Sequence, residues 1–108
     1  MEKQAVYSAT APQALGPYSQ AVRWGNLLFL SGQVGIDPGT GSLVPGGVAA
    51  QARQVLKNIE AVLAAAGLDF SRLLKTTVYL KDMAHFKTVN EVYASLVPPP
   101  YPARAALA

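Results

Sequence analysis

Pro45-Gly46-Gly47-Val48-Ala49-Ala50-Gln51-Ala52-Arg53-Gln54-Val55-Leu56-Lys57-Asn58-Ile59-Glu60-Ala61-Val62-Leu63-Ala64-Ala65-Ala66-Gly67 is the stretch that decides the fold. Before Pro45 the apolar residues alternate or come in short runs. From Val48 they recur as Val48, Ala52, Val55, Leu56, Ile59, Val62, Leu63 and Ala66. Those intervals put one apolar stripe on an α-helix, with Gln51, Arg53, Gln54, Lys57 and Glu60 mostly on its other faces. Gly67 stands where the helix end needs a left-handed residue. Such a stripe must be buried against another layer, and the flanking segments supply one.

Working outward, Lys75-Thr76-Thr77-Val78-Tyr79-Leu80 is β-branched and aromatic and reads as a strand. Asp69 to Leu73, between it and the helix, is a short turn. Asp82 is placed to cap a second helix over Met83 to Leu96, with Phe86, Val89, Tyr93 and Leu96 as its buried stripe. Pro98-Pro99-Pro100 stops that helix, and Ala103 to Ala108 begins another strand. On the other side, Met1 to Tyr7 reads as a short edge strand and Ser8 to Gly16 as a loop. Tyr18, Gln20, Val22 and Trp24 alternate with Ser19, Ala21 and Arg23, a strand pattern. Gly25-Asn26 is a turn, and Leu27-Leu28-Phe29-Leu30 is expected as a strand buried on both faces, extended by Gln33 to Ile36. Asp37-Pro38-Gly39-Thr40-Gly41 turns the chain again. The order predicts one α+β domain over residues 1–108, with two helices on one face of a sheet.

The 108 residues are 51% hydrophobic and 14% charged, a globular composition with more apolar surface than a lone domain needs, so other subunits are expected to cover part of it. There is no cysteine, and His85 is the only histidine, which removes disulfides, thiolate metal sites and an all-protein zinc site. His85, close to Asp82, reads as a capping-turn or surface residue. The nine basic residues (net charge +3) are scattered and not interleaved with aromatics, which argues against a nucleic-acid surface. No apolar run reaches a membrane span's length and the start lacks a signal peptide's apolar core; a soluble, cytoplasmic protein is the expectation.

Arg104 is the residue with most to say about chemistry. Behind the stiff Pro98-Pro99-Pro100 and Tyr101-Pro102-Ala103 approach, it has no acid nearby in sequence. A planar guanidinium so presented matches a carboxylate or phosphate bidentately; the plain alternative is a surface arginine near a terminus.

Gly16-Pro17-Tyr18-Ser19-Gln20-Ala21, Leu30-Ser31-Gly32-Gln33, Ala50-Gln51-Ala52, Asn58-Ile59, Ala65-Ala66-Gly67, Lys75 to Leu80, Val89-Asn90 and Pro102-Ala103-Arg104 occur in this order. Together they resemble the Rid family of enamine/imine deaminases, the RidA/YjgF group. The resemblance implies a chorismate-mutase-like mixed sheet with two helices on one face, and a homotrimer with clefts between subunits. It also implies cofactor-free and metal-free hydrolysis of 2-aminoacrylate and 2-iminopropionate to a 2-oxo acid and ammonia. Arg104 matches the arginine that grips the substrate carboxylate. Tyr18 matches an aromatic lining the cleft, Ser31 and Gly32 a polar turn beside it, and Asn90 a polar wall residue. Ala106 stands near a position where many members carry a cysteine. The residues themselves leave plainer readings open: packing for Tyr18, a strand-end turn for Ser31-Gly32, a satisfied buried amide for Asn90. The family's water-handling glutamate lies on a further strand; Glu2, Asp37, Glu60, Asp69, Asp82 and Glu91 do not match it, so the domain is expected to lack its final strand. Beside deamination stand two alternatives: a non-catalytic metabolite-binding or regulatory trimer, and RNA cleavage or translation inhibition.

Overall fold

The structure, a computed structural model, describes residues 2–108, so the Met1 end of the expected first strand lies outside the described residues. β1 (Gln4–Val6), β2 (Ala21–Trp24) and β3 (Leu27–Leu30) form an antiparallel sheet in that order. The β2–β3 register pairs Ala21 with Leu30 and Arg23 with Leu28, and residues opposite one another share a face. Leu28 and Leu30 pack on the core, so Ala21 and Arg23 face inward with them. Val22, Trp24, Leu27 and Phe29 point the other way.

Three expectations are corrected here. β2 starts at Ala21 rather than Tyr18, because the buried Gln20 amide holds the preceding loop. Its Oε1 accepts from the Ser8 N–H at 2.6 Å, and its Nε2 donates to the carbonyls of Ser8 and Pro12 at 3.1 and 2.9 Å. β3 is buried on one face only: Phe29 is 63% exposed, since both helices lie on the opposite side. Gln33 to Ile36 does not prolong β3. Ile36–Asp37 is instead a separate strand, β4, which pairs with β5 (Ser42–Leu43) across the expected turn.

Helix α1 (Gly47–Ala65) presents Leu56, Val62 and Leu63 to the core, as its stripe requires. Gly67, at φ 76°, donates to the Ala64 carbonyl at 3.0 Å while the Leu68 N–H reaches the Leu63 carbonyl at 2.9 Å, which closes the helix. Arg23 adds a cation to that end, its Nη2 donating to the Ala66 carbonyl at 2.7 Å. This explains an arginine on the inner face of β2. Asn58, on α1, is almost wholly buried, and its Nδ2 donates to the carbonyls of Val34 and Ile36 at 3.3 and 2.9 Å. Gly35 between them lies so close that a Cβ would stand 2.9 Å from Gln51 Cα. The stretch that was expected to continue β3 is thus pinned flat against α1.

Strand β6 (Lys75–Tyr79) and β7 (Ala103–Leu107) pair in parallel, joined by helix α2 (Phe86–Leu96). Asp82 caps as expected, but what it caps is a 3₁₀ turn, Met83–His85, so α2 begins later than the sequence pattern predicted. His85 ends that turn on the surface, its N–H on the Asp82 carbonyl at 3.1 Å. Leu96 is 41% exposed; Val92 and the extended Val97 take the core places beside Tyr93. Val97 turns inward because the chain leaves the helix there, ahead of the prolines.

The Asp69 to Leu73 turn is a 3₁₀ turn (Phe70–Arg72) that anchors the buried Phe70 ring. Asp69 accepts from the hydroxyl and the N–H of Ser71, and those bonds, the hydroxyl's first, hold its carboxyl below the ordinary aspartate range. A depressed folded-state pKa contributes stability above the unfolded-state value and loses it as pH falls through the folded one. Asp69→Ala is therefore expected to melt lower than the parent at neutral pH, with the gap closing below the aspartate range. Thermal melts from pH 7 to pH 3 check this; a gap that widens in acid would refute it.

Candidate functional site

Arg104 and Ala106 project from β7 toward the helices, in register with Thr76 and Val78 of β6. The Arg104 guanidinium lies over two rings of α2, 5.5 Å from the Phe86 centroid and 5.0 Å from that of Tyr93. Phe86, Asn90 and Tyr93 are spaced four and three residues apart, so they form one helical stripe under the cation. Asn90 Oδ1 is buried and has no hydrogen-bond partner. A buried polar atom without a partner in the chain is costly, and either a water or a ligand's N–H would satisfy this acceptor. Among the described residues no hydrogen bond or ion pair occupies the Arg104 guanidinium, which is exposed. Arg104 of β7 is thus brought onto the stripe of α2 that carries Asn90, with Ala106 two residues along the same face of β7.

Tyr18 and Ser31 stand elsewhere. They line a cavity of about 400 Å³ with Lys3, Ser19, Val22 and Phe29, on the outward face of the first sheet. The Ser31 hydroxyl donates to the Ser19 carbonyl at 2.6 Å and its N–H to that of Gln20 at 3.0 Å. Its oxygen keeps lone pairs for a ligand, but its proton is used to hold the strand end. A Cβ on Gly32 would meet nothing within 4 Å, so no contact in this chain demands glycine there. Neither Gly32, Asn90, Arg104 nor Ala106 belongs to the walls of that cavity. One chain thus carries two separate candidate half-sites: a cation on aromatics, and a hollow lined in part by hydroxyls.

Phe86 and Tyr93 entered the sequence reading only as core residues. Their spacing around Asn90 was visible, but nothing in the sequence placed β7 over that stripe. Phe29 entered only as part of an apolar strand, and nothing marked Lys3 as a site residue. No group of three or more potential metal ligands occurs among the described residues, and no helix is long and apolar enough to cross a membrane.

Residues 8–108 match the family described as Endoribonuclease L-PSP. The mouse 2-iminobutanoate/2-iminopropanoate deaminase is 51% identical over 104 residues, which is 96% of this chain and 77% of the mouse protein. A solved structure from Yersinia pestis, described as a protein of the conserved Rid family, superposes with a TM-score of 0.95 at 40% identity, covering 98% of this chain and 85% of that one. The chain belongs to the Rid family. Its fold is the chorismate-mutase-like α+β arrangement, with α1 and α2 on one side of the strands. Another Rid-fold neighbour, Escherichia coli TdcF solved with bound serine, has a TM-score of 0.88 at 37% identity and covers 96% of this chain and 84% of its own.

Proposed function

We propose that this Rid protein hydrolyses short 2-imino acids and their enamine tautomers, such as 2-aminoacrylate and 2-iminopropionate, to 2-oxo acids and ammonia. The observation that carries this reading is the free Arg104 guanidinium, held on two aromatic rings of the helix that also bears an unpartnered amide oxygen, in a chain half identical to a named imine deaminase. Arg104 takes the carboxylate through paired N–H bonds. Fixing that end orients the C=N carbon for water, which is where positioning does its catalytic part. Water adds its oxygen to the carbon and a proton to the nitrogen; the carbinolamine then expels ammonia and leaves the 2-oxo acid. Tyr18 and Ser31 offer hydroxyls to order that water, and Asn90 Oδ1 accepts from the imine or ammonia N–H.

The test is ammonia release from freshly generated 2-aminoacrylate. Turnover well above the uncatalysed rate is expected. Tight 2-oxo acid binding without turnover would replace this reading with the metabolite-binding one. Nothing in the site favours RNA cleavage: the lone histidine is the exposed His85 of a capping turn, and the nine cations are scattered along the sequence.

We further propose that the two half-sites complete one another across a homotrimer. Trp24, Leu27 and Phe29 form an exposed apolar outer face around the Tyr18 cavity, and Tyr79 is 78% exposed on β6. Covering that face and bringing a neighbour's Arg104 to Tyr18 and Ser31 are one and the same assembly step. Sedimentation at micromolar concentration is expected to give a trimer. A folded monomer with full turnover would defeat the shared site.

A further inference from the structure

We propose that Tyr93, anchored by Thr76, is the positioning residue that aims Arg104 at the ligand carboxylate; this rests on the reading of Arg104 above. An exposed arginine on a strand paired along one edge has many rotamers, and every one that points away from the ligand lowers affinity. Three links remove most of that freedom here. Thr76 is the register partner of Arg104 in the parallel β6–β7 ladder. Thr76 Oγ1 and the Tyr93 hydroxyl are hydrogen-bonded at 3.0 Å. The Tyr93 ring in turn lies 5.0 Å from the Arg104 guanidinium carbon. The three links close a loop through β6, β7 and α2, so the ring is fixed relative to the strand whose side chain it holds.

The two aromatics are not equivalent. Phe86, 5.5 Å from the cation, sits in the first turn of α2 with no polar handle. Tyr93 is only 8% exposed, belongs to the core cluster and has its hydroxyl pinned. A cation on a desolvated ring is held more firmly than one on an exposed ring. Tyr93 belongs to the core cluster and turns a ring face to Arg104, while a hydroxyl satisfied by Thr76 would otherwise be an ordinary way to bury a tyrosine. Packing alone predicts that Tyr93 matters for stability; positioning predicts that it matters for the ligand.

Binding of 2-oxobutanoate and the KM and kcat of imine hydrolysis, measured on the assembled full chain, separate the two. Tyr93→Leu fills much of the same space without a π-face and is expected to weaken 2-oxobutanoate binding and raise KM by about three- to tenfold, with a smaller change in kcat. Thr76→Val, which leaves the core ring in place, is expected to weaken binding about two- to threefold, and Tyr93→Phe by the same factor. The double variant Thr76→Val/Tyr93→Phe is expected to be no worse than either single one, because both cut the same link. The Arg104 Nε–Hε proton resonance, displaced by the ring current in the parent, is expected to relax toward its solvent value in Tyr93→Leu. If Tyr93→Leu fails to fold, Thr76→Val and Tyr93→Phe decide alone. Parental binding and KM in these variants, while Arg104→Ala loses binding, would overturn the positioning role and leave the reading of Arg104 standing. Parental binding in Arg104→Ala would overturn both.

Discussion

Arg104→Ala is expected to lower kcat/KM for 2-iminopropionate by roughly 10²- to 10⁴-fold and to abolish measurable 2-oxobutanoate binding. Hydrogen bonds to a charged group contribute about 1.5–3 kcal/mol each, and the guanidinium makes two to a carboxylate. Each 1.36 kcal/mol or so is a factor of ten in rate. The lost bonds exist in the ground state as well as the transition state, so KM is expected to rise alongside any fall in kcat. Arg104→Lys keeps the charge but offers a point contact in place of the planar pair, and is expected to fall between the two. Arg104 is exposed, so the substitution costs the fold mainly its contact with the two rings, about 0.5–2 kcal/mol, and the melting temperature is expected to fall by several degrees while the protein stays folded at the assay temperature. Steady-state ammonia release with a parallel thermal melt checks both halves. Unchanged kcat/KM in a folded Arg104→Ala protein would remove Arg104 from the site.

Asn58→Leu is expected to destabilise the scaffold by about 2–4 kcal/mol. The amide is 1% exposed, donates to the Val34 and Ile36 carbonyls, and accepts from Gln54 Nε2 at 2.9 Å. Leucine has the same branched skeleton but is bulkier and leaves two carbonyls without their donor, and an unsatisfied buried polar group costs about 1–3 kcal/mol. The chain there has little room to adjust, since Gly35 already touches the backbone of Gln51. Loosening it frees β4 and β5 from α1 without touching the hydrophobic core. Urea unfolding is expected to show a lower midpoint at unchanged slope. A midpoint equal to the parent's would mean that the β4–β5 segment adds nothing to the fold's stability.

These two residues differ in how far the sequence revealed them. The helices were legible because a 3.6-residue stripe must be buried: Leu56, Val62 and Leu63 fall where the periodicity put them. The Gly25-Asn26 turn, the Gly67 cap and the Asp82 cap are local too, set by φ preferences and by side chains bonding two residues away. Arg104 stood out for a local reason as well, and the ordered motifs from Gly16 to Arg104 identified the family. Asn58 looked like any polar residue of a helix, because its partners lie 24 and 22 residues away. The exposed face of β3 was misread for the same cause. A continuous apolar run is consistent with burial on both faces, and only the placement of both helices on one side leaves Phe29 uncovered.

The sequence by itself determined most of the elements and their chemistry: two stripe-bearing helices, the strands around them except the β4–β5 pair, and one uncommitted arginine at residue 104. Only the tertiary structure decided that this arginine rests on Phe86 and Tyr93, and that Tyr18 and Ser31 line a separate hollow. Periodicity and capping act over a few residues and can be read along the chain. A parallel pairing such as β6 with β7 joins Thr76 to Arg104 across the whole of α2, and its register follows from packing that no local pattern encodes.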